Sequence, residues 1–99
     1  MKLRELAHSR AGDKGNLVSI SVIAYWELDY PTLVECVTAD RVSELFQEHI
    51  ARPVVRYCVP NVFALNFVLS RLPVDSVTRS LRLDAHGKSL SSLMLSLEI

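Results

Sequence analysis

Ninety-nine residues carrying eleven basic and eleven acidic side chains have no excess charge, so the phosphate neutralisation that nucleic-acid binding demands has no source here. With 49% hydrophobic residues the chain can build the core of one domain without metals or disulfides. No apolar run approaches the ~20 residues that cross a bilayer, and residues 1–5 lack an apolar h-region, so neither a membrane span nor a secretory signal is expected.

Along the chain, residues 3–8 read as a short strand. Residues 17–25 alternate more clearly, with Val18, Ile20, Val22 and Ala24 on one face and Ser19 and Ser21 on the other. A glycine-containing segment lies between them, so a hairpin is the simplest connection. Residues 30–36 fit one or two helical turns. Thr38 is a good N-cap, Asp40 sits in the first turn after it, and Val42, Leu45, Phe46 and Ile50 form a helical stripe before Pro53. Val55, Tyr57 and Val59 alternate with Val54, Arg56 and Cys58, which predicts a strand. Asn61 can cap a helix over residues 62–72 that is apolar nearly all round and is stopped by Pro73. Val77, Leu81 and Leu83 alternate with Thr78, Ser80 and Arg82 as another strand, followed by a turn at residues 84–88. The final segment fits a helix through Leu90, Leu93, Met94 and Leu97, or a strand through Leu93, Leu95, Leu97 and Ile99; a cap at Ser89 favours the helix. The order ββαβαβ with a C-terminal helix predicts an α+β domain.

The segment Arg10-Ala11-Gly12-Asp13-Lys14-Gly15-Asn16 is the strongest local signal. Its glycines permit positive φ and converging N–H groups, and Arg10 and Lys14 bring positive charge, a combination suited to an anion such as a phosphate of CoA or a nucleotide. It is not a P-loop, since the GxxxxGK[ST] spacing is absent. The plainer reading is a wide hairpin in which Asp13 satisfies local amides and pairs with Arg10 or Lys14. Asn66 stands among Leu65, Phe67, Val68 and Leu69. Its amide needs partners, either in a neighbouring strand or loop, or in a ligand carbonyl. His8 and Asp13 are the candidates for proton transfer, and no catalytic constellation beyond them assembles. Asp84, His86 and Lys88 read as turn residues, and His49 as a cation at a helix end. Arg56, Arg82, Ser19, Ser21, Thr78 and Ser80 are expected on the uncovered sheet face. That face, with the apolar helix, argues for association. Cys36 and Cys58 have no CxxC partner and read as reduced thiols of a cytoplasmic protein, and no cluster has metal-ligand spacing.

Arg10, Gly12-Asp13-Lys14-Gly15 and Asn16 resemble the RSGDKG-type signature of the AtuA-like ferredoxin-fold family, which comprises the C-terminal domain of the acyclic terpene utilisation protein AtuA and small stand-alone homologues. Arg56-Tyr57, Pro60, Ala64-Leu65-Asn66-Phe67, Ser80-Leu81-Arg82-Leu83-Asp84 and Gly87-Lys88 extend the resemblance almost end to end. Ala11 departs from the family's usual Ser, and Pro73-Val74-Asp75 from its glycine-rich turn. The resemblance implies a ferredoxin-like two-layer sandwich, permuted or embellished, with an about four-stranded sheet and helices on one face. It implies an accessory subunit in acyclic terpene or branched acyl-CoA catabolism, forming a homo-oligomer or a hetero-complex with a large AtuA-type protein. Residues Arg10, Gly12, Asp13, Lys14, Gly15, Asn16 and Asn66 would meet a ligand, with a CoA thioester as the candidate and no cofactor. The alternative is a small acyl-CoA hydratase or isomerase with a site between protomers, where His8 or Asp13 moves the proton.

Overall fold

The computed structural model describes residues 1–70 and 89–99. Strands β1 (Ala7–Lys14) and β2 (Leu17–Ala24) pair antiparallel with Lys14 opposite Leu17, so Gly15 and Asn16 alone make the turn. Gly15 has φ 62°, the positive value that the first position of a tight hairpin turn requires. A 3-10 turn (Glu27–Asp29) leads into helix α1 (Tyr30–Cys36), and α2 (Ala39–Leu45) follows. The Thr38 hydroxyl accepts the N–H of Arg41 at 3.2 Å, the cap expected from the sequence. Strand β3 (Val55–Val59), a 3-10 turn (Pro60–Val62) and strand β4 (Ala64–Ser70) come next, and helix α3 (Ser89–Leu95) precedes the C-terminus. Among the described residues the sheet order is β1-β2-β4-β3, antiparallel throughout, with β1 and β3 outermost. This is the expected α+β arrangement, consistent with a ferredoxin-like domain.

One face of the sheet carries the core. Val18, Ile20 and Val22 of β2 and Leu65, Phe67 and Leu69 of β4 are buried there against Leu33 of α1, Val42 of α2, and Leu90 and Met94 of α3. Phe67 is opposite Ile20 in the register, and both are fully buried. Truncating such a phenylalanine to alanine typically costs about 3–5 kcal/mol. The terminal segments close over this layer. The Leu3 N–H donates to the Leu97 carbonyl at 2.8 Å, and Lys2 bridges Glu98. The C-terminal ambiguity resolves as a helix that ends before this bridge.

Several expectations change. Residues 3–5 are a 3-10 turn rather than strand, and the strand expected at 3–8 begins instead at Ala7 and runs through the glycine segment to Lys14. The stripe expected to carry α2 to Ile50 stops at Leu45, where Phe46 leaves helical geometry. The helix expected over residues 62–72 is strand β4. β4 lies centrally between β2 and β3; Leu65, Phe67 and Leu69 fill the core face, while Ala64 is buried and Val68 half-buried on the other, so the run lacks clean alternation and reads like a buried helix. Phe63 marks the entry: it holds a left-handed φ of 55°, donates its N–H to the Pro60 carbonyl, and packs its ring edge-on to Tyr30. The strand expected through Val77 and Leu83, the Pro73 stop and the turn with Asp84, His86 and Lys88 lie outside the described residues.

Candidate functional site

Register sorts the signature residues by face. Directly opposed residues in an antiparallel pair point the same way. His8, Arg10 and Gly12 therefore share the face of Ile23, Ser21 and Ser19, the face away from the helices. Ala7, Ser9, Ala11 and Asp13 belong to the other. Lys14 closes the strand opposite Leu17. On the open face one cross-strand row reads Arg10, Ser21, Asn66, Tyr57 from β1 to β3. The next row reads Gly12, Ser19, Val68, Val55. Arg10 and Asn66, both singled out in the sequence, thus stand two strands apart, about 10 Å.

Asn66 anchors the centre of this face. Its Nδ2 donates to the Ser21 hydroxyl at 3.1 Å and to Ser19 at 2.9 Å, and Ser19 Oγ also lies 3.3 Å from Oδ1. Both amide protons are therefore used on neighbouring side chains of β2, the plainer of the two readings of this residue. Arg10 is exposed on the edge strand, and its guanidinium makes no hydrogen bond or ion pair with a described residue. His8 stacks on Tyr25 with ring centroids 5.4 Å apart.

The converging-amide geometry expected for residues 9–16 is not what the fold builds. Through Lys14 these residues are extended and paired with β2, so alternate N–H groups enter the ladder and the others point along the sheet edge. Only Gly15 and Asn16 form a turn. Any recognition by this segment is consequently a matter of side chains. Arg10 and Asp13 occupy opposite faces, so of the two pairings expected for Asp13, with Arg10 or with Lys14, the one with Arg10 does not fit the register. The same holds for the two proton-transfer candidates. His8 and Asp13 lie on opposite faces and five residues apart, about 17 Å along a strand. One chain does not bring them together.

Arg56, expected on the open face, is on the other, opposite Phe67. Its Nη1 donates to the Val34 carbonyl at 2.7 Å and the Val37 carbonyl at 3.0 Å, capping the C-terminal end of α1. Beside it, the Tyr30 hydroxyl donates to the Ala64 carbonyl at 3.0 Å. Burial, with the neighbouring Cys58, raises the phenol's pKa, against the lowering influence of a Val59 backbone hydrogen bond and of Arg56. These contacts fix β3 and α1 and leave neither group for a ligand. Sequence reading misses this role because the alternation of residues 54–59 assigns faces only relative to one another.

A cleft of about 400 Å³ lies on the helical side, lined by Arg41, Glu44, Leu45, Gln47, Leu97 and Glu98. Arg41 is committed there, donating to the carbonyls of Cys36 and Glu98. Among the described residues no group of His, Cys, Asp and Glu side chains has a metal-binding arrangement. Nor is any described helix long and apolar enough to cross a membrane. Cys36 is half-buried and Cys58 exposed, and both are free thiols.

Among the described residues, an antiparallel four-stranded sheet with helices on one face and the signature strand outermost defines a small α+β domain of ferredoxin-like type. Over residues 1–99 the chain matches the AtuA ferredoxin-like domain, and it belongs to that family. Neither a curated protein nor a solved structure matches it.

Proposed function

We propose that the chain is an accessory domain of an AtuA-type system, assembling with a larger AtuA-type protein and presenting the edge strand β1 and its turn to a ligand or shared site. Family membership over the whole chain carries this reading. It is supported by the exposure of Arg10 beside a polar centre whose own hydrogen bonds are satisfied. A guanidinium so placed suits a carboxylate or phosphate, bidentate where geometry allows. Acyclic terpene or branched acyl-CoA catabolism, with a CoA thioester as ligand, is the chemistry the family name brings. The separation of His8 from Asp13 favours a helper over a complete single-chain enzyme.

The test mixes the purified chain with a purified AtuA-type protein in native mass spectrometry, and titrates each with an acyl-CoA in calorimetry. The expected results are a defined complex and binding that Arg10→Ala weakens about tenfold or more, the value of one charge-assisted hydrogen bond. No complex, with affinity unchanged in Arg10→Ala, overturns the proposal.

A further inference from the structure

We propose that the open face of the sheet is a symmetric dimer interface, and that its occupant is the same face of a second copy of this chain. The inference goes beyond the accessory reading above and does not depend on the AtuA-type protein.

The two glycines of the signature segment carry the first argument. Gly15 has an internal reason, its φ of 62° at the turn. Gly12 has none. Its φ is not positive, and a Cβ built there meets nothing within 4 Å. A glycine in the middle of a strand weakens it, and such a position commonly marks the close approach of another group. On the open face that approach comes from outside the described residues.

The second argument is the unlike character of the two sheet edges. The β3 edge is apolar and raised, with Val55 48%, Tyr57 55% and Val59 38% exposed. The β1 edge offers His8, Arg10 and the notch at Gly12. A two-fold axis parallel to the strands, between β2 and β4, lays the β1 edge of one copy over the β3 edge of the other. The ~30° angle between stacked sheets shifts edge partners by about one residue. The Gly12 notch then receives Val55 or Tyr57 of the second copy. Arg10 lies over the Tyr57 ring in a cation–π contact. The same axis lays β2 over β4 of the second copy, so Asn66 meets its Ser21 and Ser19 its Val68, with the polar groups already satisfied within each chain. Stacking of this kind needs no charge compensation.

The third argument is size. Four strands at about 4.8 Å and seven residues at about 3.4 Å make a face of roughly 450 Å² in projection. With side-chain relief this approaches the ~600 Å² of accessible surface per partner found at the small end of specific interfaces. A face this small suits a reversible dimer rather than a permanent one. Arg10, on the edge strand, stays at the rim within reach of a ligand.

Sedimentation velocity over a concentration series of the full chain alone tests the proposal, with Gly12→Val and Tyr57→Asp as variants. Wild type is expected to pass from monomer to dimer as concentration rises. Gly12→Val fills the notch and raises Kd tenfold or more, while the melting temperature of dilute monomer is unchanged or higher, because the site is open and valine favours strands. Tyr57→Asp raises Kd with the fold intact. A chain that stays monomeric at every concentration overturns the proposal, as does a dimer whose Kd ignores both variants. Because no other protein is present, these results leave the accessory reading untouched, and failure to bind an AtuA-type protein leaves the dimer untouched.

Discussion

Replacing Arg56 with methionine separates a structural cation from a functional one. The guanidinium donates two hydrogen bonds from Nη1, to Val34 and Val37, at the end of a helix of only seven residues. A charged donor contributes about 1.5–3 kcal/mol per bond when well shielded. Arg56 is half-buried and water can reach the helix end, so a total near 2 kcal/mol for the pair, helix-dipole attraction included, is the reasonable expectation. Methionine retains most of the stem's packing, which isolates the loss to the polar contacts. For a domain of this size about 2 kcal/mol lowers Tm by about 8–16 °C. Urea unfolding should show a lower midpoint with the slope unchanged. Tyr30 supplies an independent readout. Arg56 lowers the phenol's pKa, so its removal should move the Tyr30 titration, followed by ultraviolet absorbance, further upward. An Arg56→Met variant that stays within about 0.5 kcal/mol of wild type, the ordinary range for a surface change, with the phenol titration unmoved, would refute the capping argument.

Three other substitutions probe the same framework. Asn66→Leu strands the hydroxyls of Ser19 and Ser21 and should cost about 1–2 kcal/mol in urea unfolding; the cost should shrink when Ser19→Ala and Ser21→Ala are already present, and a fully additive triple variant would mean the network contributes nothing. Gly15→Ala forces a side chain into positive φ and should destabilise by about 1–2 kcal/mol, whereas Gly12→Ala should not; equal effects in thermal melts would show that the turn geometry is wrong. The raised pKa of Tyr30 means that the folded state holds the phenolic proton more tightly than the unfolded chain. Its contribution is therefore complete below the unfolded value of 10.0 and is lost as pH rises through the folded one. The Tm difference between wild type and Tyr30→Phe should narrow above about pH 10, and a constant difference would contradict the assignment.

What can be read from sequence depends on whether local pattern and final environment agree. Strand β2 is legible because one face is buried and the other is not, so its residues alternate. Helix α2 is legible because Thr38 does cap it and Val42 and Phe46 do face the core. Strand β4 is not. Ala64, Leu65, Phe67 and Leu69 are buried and Asn66 and Val68 half-buried, so its run of apolar residues lacks a decisive period. Strand β1 escapes for the opposite reason. Its residues, Ala-His-Ser-Arg-Ala-Gly-Asp-Lys, include none of the β-branched or aromatic types. Pairing with β2 and the contact of α3 hold it extended. Arg10 and Asn66 are each conspicuous in the sequence. That they fall in one row follows from the order β1-β2-β4, which no local pattern encodes.

The extended state of β1 also changes what the signature can do. A nest of amides would have made the segment a self-sufficient anion site, competent in one chain. A strand instead commits alternate amides to the ladder and divides the side chains by face, with Arg10 on one side and Asp13 on the other. Chemistry that needs both an acid and a base, or a cation enclosed on more than one side, then requires a second surface. Gly12 points the same way, since nothing within the described residues accounts for it. The proposed dimer gives the segment an intermolecular logic. The measurement that bears on it most directly is whether Gly12→Val, harmless to the monomer, weakens association of the chain with itself.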